Sequence, residues 1–378
     1  MIYLDNAATT YPKPQSVANA VTRAIKRLGA NPGRSGHNMS IEAAKEVYEC
    51  RKSLAKFFNA PGPECVVFTL NCTHAINTVI KGILKPGDHV VTSCFEHNSV
   101  NRPLKALENQ GVTVTEARVY PGDNDATVNS FREAFTSKTS LVVCTHASNV
   151  WGVRLPVARI CALAHEYNIA VLVDAAQSAG HIPIDVAEMK IDFLCLAGHK
   201  GLYGPMGVGV LITPYGDKVS TMLQGGTGTN SESYLQSDIM PEKLESGTPN
   251  VIGIAGLHAG IEFLNSTGMR RIATHEYDLI KYLYRRLNAL EKVELYMDEP
   301  TPEHFVPLLS FNVNGMHSES VAATLNEHGI YVRAGLHCAP GAHKFCGTLE
   351  QGAVRICPSA FTRRRDIDAL MHFIKNKI

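Results

Sequence analysis

The chain has no excess of either charge: Lys plus Arg number 36 and Asp plus Glu 35 among 378 residues. That balance removes the electrostatic case for nucleic acid or an anionic membrane as a partner. No uninterrupted apolar run approaches the roughly 20 residues that span a bilayer. The start, Met1-Ile2-Tyr3-Leu4-Asp5-Asn6, lacks the basic and apolar regions of a secretion signal. Together these absences predict a cytoplasmic chain with neither membrane nor nucleic acid to bind. No internal repeat is visible. Ten cysteines are present. Those in apolar runs, Cys144 in LVVC and Cys195 in FLCL, read as small buried hydrophobes in a reducing compartment.

What is there is an ordinary globular composition, 45% hydrophobic and 19% charged, in a chain long enough for two domains. Between residues 65 and 215 short Val- and Ile-rich runs alternate with segments of helical period. The runs Val66–Phe68, Val90–Val91, Leu141–Val143, Ala170–Val173, Phe193–Cys195 and Val208–Ile212 predict buried strands. Helical spacing covers Ala75–Leu84 and Val157–Tyr167. Doubly buried strands alternating with helices imply a mostly parallel α/β sheet. Residues Gly225–Asp238, rich in Gly, Thr, Ser and Asn, predict a long loop, and loops of that length are usually functional or mobile. Two helices follow, from Pro249 to Asn265 and from Met269 to Leu290. The remainder predicts a small α+β unit with strands at Leu308–Val313, Tyr331–Arg333 and Ala353–Ile356, a helix near Val321–Glu327 and a last helix after Thr362. The run Arg363-Arg364-Arg365 reads as a solvated face of that helix.

Two residues carry the first chemical signal. Asp174 ends the apolar run Val171-Leu172-Val173, and in open α/β sheets ligands bind beyond the carboxyl ends of strands. Taken alone it could equally be a helix cap or half of an ion pair. Lys200 follows the next strand within Gly198-His199-Lys200-Gly201, where glycines let backbone approach a ligand. A partly buried lysine loses proton affinity and becomes an amine nucleophile, though a turn lysine is the plainer alternative. The pair says more than either member. A pyridoxal phosphate (PLP) enzyme needs a lysine to link the cofactor and an acid to keep its ring nitrogen protonated.

The other parts of such a site are present. Asn71-Cys72-Thr73-His74-Ala75 joins a strand to a helix, and its N–H groups with the Thr73 hydroxyl make an anion site, unless Thr73 is a plain N-cap. Ser246-Gly247-Thr248-Pro249 opens another helix with a second hydroxyl. His97 follows a strand and could stack on a flat ring or be a hydrogen-bonded structural residue. Cys338 lies in a Gly/Pro loop, Arg333-Ala334-Gly335-Leu336-His337-Cys338-Ala339-Pro340-Gly341, where an accessible thiol near positive charge forms the thiolate that attacks sulfur. Arg355, on a strand between apolar neighbours, calls for a planar anion such as a carboxylate. His337, Cys338, His343 and Cys346 are close enough to raise zinc. However, Cys338 and Cys346 are too far apart for the C-x2-4-C spacing of a structural site, so no metal is expected.

The segments LDNAATT, VLVDAAQ, GHKGLYGP, ESGTPN, RAGLHCA and VRIC together resemble the class-V, fold-type I PLP-dependent aminotransferases, within them the cysteine desulfurase and selenocysteine lyase group. The resemblance spans nearly the whole chain. It implies a large PLP-binding domain, 13–257, with a mostly parallel seven-stranded sheet. A smaller α+β C-terminal domain, 1–12 with 258–378, would carry the catalytic Cys loop. It also implies roles. Lys200 would link the cofactor, Asp174 pair with its ring nitrogen, and Gln177 contact the ring hydroxyl. His97 would stack on the ring and aid proton steps. Thr73, His74 and His199 would serve the phosphate, with Thr248 reaching the phosphate of the neighbouring subunit in a homodimer with shared sites. Asn149 would lie near ring and substrate, Arg355 would bind the substrate carboxylate, and Cys338 would accept the sulfur. Arg333 and His37 would line the substrate pocket.

RAGLHCA resembles the group II branch, which has a short catalytic loop. Relatives often carry Ser or Thr at the position of Ala197, so one phosphate hydroxyl is missing. Cys346 reads as incidental. The implied reaction converts L-cysteine to L-alanine, leaves a persulfide on Cys338 and passes its sulfur to an acceptor protein. Selenocysteine lyase, cysteine sulfinate desulfinase and, further off, aminotransferase activity are the alternatives.

Overall fold

The computed structural model describes residues 1–33, 36–228 and 231–378. In chain order the strands are β1 (Ile2–Tyr3), β2 (Val66–Thr69), β3 (His89–Ser93), β4 (Thr113–Ala117), β5 (Thr139–Thr145), β6 (Ala170–Asp174), β7 (Phe193–Ala197), β8 (Gly209–Ile212), β9 (Val293–Leu295), β10 (Leu309–Val313), β11 (Ile330–Tyr331) and β12 (Val354–Ile356). A seven-stranded sheet runs β2-β8-β7-β6-β5-β3-β4. Its neighbours are parallel except at β8, which is antiparallel to both β2 and β7. The mostly parallel α/β architecture expected from the sequence is what is observed.

Successive residues of each central strand point to opposite faces, and two apolar layers result. Val142, Cys144, Val171, Val173, Leu194 and Leu196 join the layer that also holds the helices Asn38–Phe57 and Val251–Thr267. Leu141, Val143, Leu172, Phe193 and Cys195 join the other, against the helix Cys72–Ile83. Both faces are therefore covered, which is why these strands read as unbroken apolar runs. Cys144 and Cys195 are fully buried, as expected.

A third apolar cluster gathers Leu279, Leu283, Phe311, Val354, Ile356, Leu370 and Ile374 around the antiparallel sheet β12-β10-β9. β1 pairs in parallel with β11, so the N-terminus is threaded into this part of the molecule.

The structure departs from the sequence reading in several places. β4 was not expected. Its Thr113-Val114-Thr115-Glu116 is exposed or half-buried at the sheet edge, so it shows no apolar run. The helices Gln15–Arg27 and Asn38–Phe57 also went unread, as did β9. The strand expected at Tyr331–Arg333 is instead Ile330–Tyr331, and Arg333 makes only an isolated bridge to Arg355. The described part of the Gly225–Asp238 loop carries no helix or strand, and its residues 229 and 230 lie outside the described residues. Arg364 and Arg365 are exposed in the first turn of the helix Arg364–Lys377, as a solvated face requires. No described helix is long and apolar enough to cross a membrane.

Candidate active site

At the carboxyl edge of the parallel sheet lies a cavity of about 220 Å³. β5 delivers Thr145 to it, β6 Asp174, and β7 Ala197 with His199 and Lys200 just beyond. The turn after β2 brings Asn71, Cys72 and Thr73, and the turn after β3 brings His97 and Ser99. Asn149, Ala147, Ala176 and Gln177 complete the wall. Seven of the expected residues therefore share one space: Lys200, Asp174, Gln177, His97, Thr73, Asn149 and His199.

Local structure explains each placement. Asn71, not Thr73, caps the helix Cys72–Ile83, its Oδ1 accepting from the His74 N–H at 2.9 Å. The Ala75 N–H bonds the Asn71 carbonyl. The N–H groups of Cys72 and Thr73 are thus left without partners among the described residues, aimed from a helix start as an anion site requires. His97 caps the helix Asn98–Glu108, with Nδ1 accepting from the Ser99 N–H at 3.0 Å. A nitrogen that accepts a backbone N–H carries no proton of its own, so the neutral ring holds its proton on Nε2. The glycines beside Lys200 serve a different end from the one expected. A Cβ on Gly201 would lie 2.3 Å from the Ala179 carbonyl oxygen, and one on Gly198 2.8 Å from that of Val208. They allow backbone to pack on backbone, and neither lines the cavity.

The charges are set by burial. Desolvation lowers the proton affinity of Lys200; Arg355 and Arg333 add to that, while the Asp174 carboxylate opposes it. Burial also lowers His97 and His199 to about 4, so both rings are neutral at physiological pH. Asp174 is 4% exposed, and its Oδ1 accepts from the Ala176 N–H at 2.9 Å and from the Cys72 thiol at 3.5 Å. Burial holds that thiol well above its ordinary pKa, so Cys72 is a donor to the carboxylate and not a nucleophile. Sequence reasoning missed Cys72, Ser99 and Thr145. Only their position marks them, Thr145 at the end of β5 and Cys72 and Ser99 in the first turns of the helices after β2 and β3, since their residue types are unremarkable.

Cys338 is exposed at the rim. Its carbonyl accepts from the Asn98 N–H at 2.7 Å, next to His97, and the His337 carbonyl accepts from Asn149 Nδ2 at 2.7 Å. The loop is therefore fastened to two walls of the cavity. His337 and Cys338 both have left-handed backbone, φ 49° and 57°, which for non-glycine residues costs on the order of 1–2 kcal/mol each. The expected help from His337 is not there. Its Nε2 bonds the Ala353 carbonyl at 3.0 Å, and burial pushes its pKa down to about 2, so it is a neutral packing residue and brings no positive charge to the thiol. Arg355 is 2% exposed, ion-paired to Asp5 at 3.0 Å, with Nη1 donating to the Asn149 carbonyl at 2.9 Å and Nε unpartnered.

Besides Cys338 and Arg355, four expected residues lie outside this cavity. His74 and Thr248 line a neighbouring pocket of about 130 Å³, where Thr248 Oγ1 accepts from Asn31 at 3.3 Å. His37 is exposed and caps the helix Asn38–Phe57. Arg333 is half-buried beside Arg355. No group of three metal-ligating side chains occurs among the described residues.

Behind His97 sits Glu96, fully buried, its Oε1 accepting from the Thr145 N–H at 2.7 Å and the Ser93 hydroxyl at 2.5 Å. Burial raises it from 4.5 to about 8, so the fold prefers the neutral acid. Its contribution to stability is complete below pH 4.5 and is lost as pH rises to about 8. Glu96→Gln keeps the acceptor and has no charge. It is expected to be the more stable protein at pH 8 by on the order of 2 kcal/mol, with the difference vanishing toward acid pH. Thermal unfolding at both pH values measures this, and no gain at pH 8 rejects the neutral acid.

The chain is similar to known proteins over nearly its whole length. The family model described as aminotransferase class-V matches residues 2–370. A probable cysteine desulfurase of Methanothermobacter thermautotrophicus is 38% identical over 93% of this chain and 88% of its own length. A cysteine desulfurase of Haloferax volcanii is 32% identical over 99% of this chain and 88% of its own. Among solved structures, the apo cysteine desulfurase of Thermococcus onnurineus superimposes with a TM-score of 0.91 at 33% identity, over 99% of this chain and 94% of that one. With a match running nearly end to end, and with the lysine and carboxylate at adjacent strand ends, the chain belongs to the class-V aminotransferase family.

Proposed function

We propose that this protein is a PLP-dependent cysteine desulfurase, which converts L-cysteine to L-alanine and takes the sulfur onto Cys338 as a persulfide. The observation that carries this reading is the placement of an exposed thiol on a loop bonded to two walls of the cavity that Lys200 and Asp174 share. An aminotransferase site has no use for such a thiol. The names of the relatives support the same reaction.

The donor set fits the cofactor. Its aldehyde calls for an amine, its ring nitrogen for an acid, its ring hydroxyl for an amide, and its phosphate for N–H donors. Lys200, Asp174 and Gln177 supply the first three within one cavity, and Gln177 keeps an amide N–H beyond the one that bonds the Ala7 carbonyl at 3.0 Å. Cys72 and Thr73 offer free N–H groups, and His199 has a buried, unpartnered Nδ1. Ala197 presents no hydroxyl there. Bound pyridoxal phosphate supplies an electron sink for the bonds at Cα and Cβ of an amino acid.

The chain's own residues do the rest. Lys200, with its lowered proton affinity, removes the Cα proton and later returns it. Asp174 holds a negative charge where a ring nitrogen needs its proton. His97 presents Nε2–H toward the cavity side of its helix cap. Arg355, with Arg333 beside it, draws the substrate carboxylate. The Cys338 thiolate forms a bond to the substrate sulfur as the Cβ–S bond breaks, and the electron pair stays with carbon until Cβ is protonated. The sum is L-cysteine plus Cys338 thiol giving L-alanine plus Cys338 persulfide.

The remaining assignments belong to the same proposal. The exposed Thr248, beside His74 in the adjoining pocket, suits a phosphate contact completed by a second copy of the chain. His37 would line the substrate pocket from the N-cap of its helix. Residues 13–257 would form the cofactor domain, and 1–12 with 258–378 the domain bearing the Cys338 loop. The exposed thiol suits transfer to an acceptor protein. The test is to load the protein with PLP, add L-cysteine and a reductant, and quantify alanine and sulfide. Equal amounts are expected. A loaded protein that releases no alanine from cysteine rejects the reading.

A further inference from the structure

The segment from Asp5 to Lys13 touches three parts of the site, Arg355, Gln177 and the Lys200 turn, through different residues. Asp5 pairs with Arg355 at 3.0 Å. The Ala7 carbonyl holds Gln177 at 3.0 Å. The end of the segment closes on the Lys200 turn. There the His199 carbonyl receives the Thr10 N–H at 3.1 Å, the Thr10 hydroxyl at 3.0 Å, the Thr9 hydroxyl at 3.1 Å and Lys13 Nζ at 2.7 Å. The Thr10 hydroxyl also lies against the Lys200 carbonyl, and Lys13 Nζ donates to Thr10 Oγ1 at 3.2 Å.

A carbonyl oxygen has two lone pairs, so this convergence exceeds what a turn needs in order to fold. Lys13 is unusual in its own right. It has no carboxylate partner among the described residues, and burial draws its pKa down to about 8. A desolvated cation facing only a hydroxyl and a carbonyl is costly to keep, and a surface lysine placed for solubility would not be found there.

We propose that Thr10 and Lys13 are positioning residues for Lys200: by fixing the carbonyls of His199 and Lys200 they hold the lysine backbone so that its amine meets what enters the cavity. The Lys200 side chain has no hydrogen-bond partner of its own among the described residues, so its aim depends on its backbone. Because Thr10 is continuous with Ala7 and Asp5, the same segment sets the lysine, Gln177 and Arg355 in one register. This inference rests on Lys200 being the residue that links the cofactor.

The experiment compares Thr10→Val, Thr10→Ser and Lys13→Met in the full-length protein. The first readout is the rate at which cofactor-free protein captures pyridoxal phosphate on Lys200, fixed by borohydride and located by mass spectrometry. The second is kcat and KM for alanine formation. Thr10→Val and Lys13→Met are expected to capture cofactor about tenfold more slowly and to lower kcat similarly with little change in KM, as misplacement of a reacting group does. Thr10→Ser keeps the hydroxyl and is expected to behave as the native protein. Native capture by Thr10→Val or Lys13→Met overturns the role given to that residue, and a slow Thr10→Ser overturns the hydroxyl argument. If the native protein makes no alanine from cysteine, the proposed function fails while the capture rate still decides the positioning role. Capture at a residue other than Lys200 overturns the inference outright.

Discussion

Lys200→Ala is expected to abolish alanine formation, lowering kcat by about 10³–10⁴-fold, because one group both links the cofactor and moves the Cα proton. No neighbour can substitute. His97 and His199 line the cavity, but burial lowers both to about 4, which leaves them weak bases, and His97 also has Nδ1 committed to the Ser99 N–H with its proton on Nε2. Cys72, the other candidate, donates to Asp174 and is kept protonated by burial. Loss of the visible absorbance of the loaded protein should accompany the loss of rate. Lys200→Arg restores the charge without the nucleophile, since a guanidinium does not deprotonate in proteins, and is expected to stay inactive. Alanine formation within about tenfold of native in Lys200→Ala would move the proton step to another residue.

Much of this site was legible in the sequence for a physical reason. Strands buried on both faces leave unbroken apolar runs, and their ends are the places where polar side chains can enter a cavity. Asp174 and Lys200 sit at two such ends, on adjacent strands β6 and β7. What stayed hidden depends on contacts between distant segments. β4 lies at an edge and has no apolar run to betray it. Nothing in the spacing of Thr10 and Lys13 connects them to His199, almost two hundred positions away. Burial neutralises His337, with Arg355 adding to it against the opposing bond to the Ala353 carbonyl, so the sequence neighbour of Cys338 that promised a charge delivers none. The N-cap of the helix Cys72–Ile83 shows the same limit on a small scale. Asn71 and Thr73 are both good caps by type, and only the hydrogen bond to the His74 N–H assigns the role to Asn71.

Cys338→Ala is expected to leave cofactor capture and the absorbance of the loaded protein intact while alanine formation from L-cysteine falls by about 10²-fold or more. The two effects separate because Cys338 lines no part of the cavity; it reaches the site through its loop. That loop is held by main-chain bonds, the Cys338 carbonyl to Asn98 at 2.7 Å and the His337 carbonyl to Asn149 at 2.7 Å. Removing Sγ disturbs neither. A close fit is also built in at Gly341, where a Cβ would lie 2.5 Å from the Cys94 carbonyl oxygen, so the loop keeps its seat without the thiol. Cys338→Ser offers an oxygen that is a far weaker nucleophile toward sulfur and should not recover the rate. Cys346 is half-buried, and burial raises its thiol to about 12, so it cannot stand in as the thiolate. The same variants given selenocysteine discriminate the neighbouring activity, because that elimination depends less on a protein thiol. Retained selenide release beside lost sulfide release keeps Cys338 as the sulfur acceptor. Unchanged sulfide release from cysteine in Cys338→Ala removes Cys338 from the chemistry and leaves its strained, doubly fastened backbone without a catalytic reason.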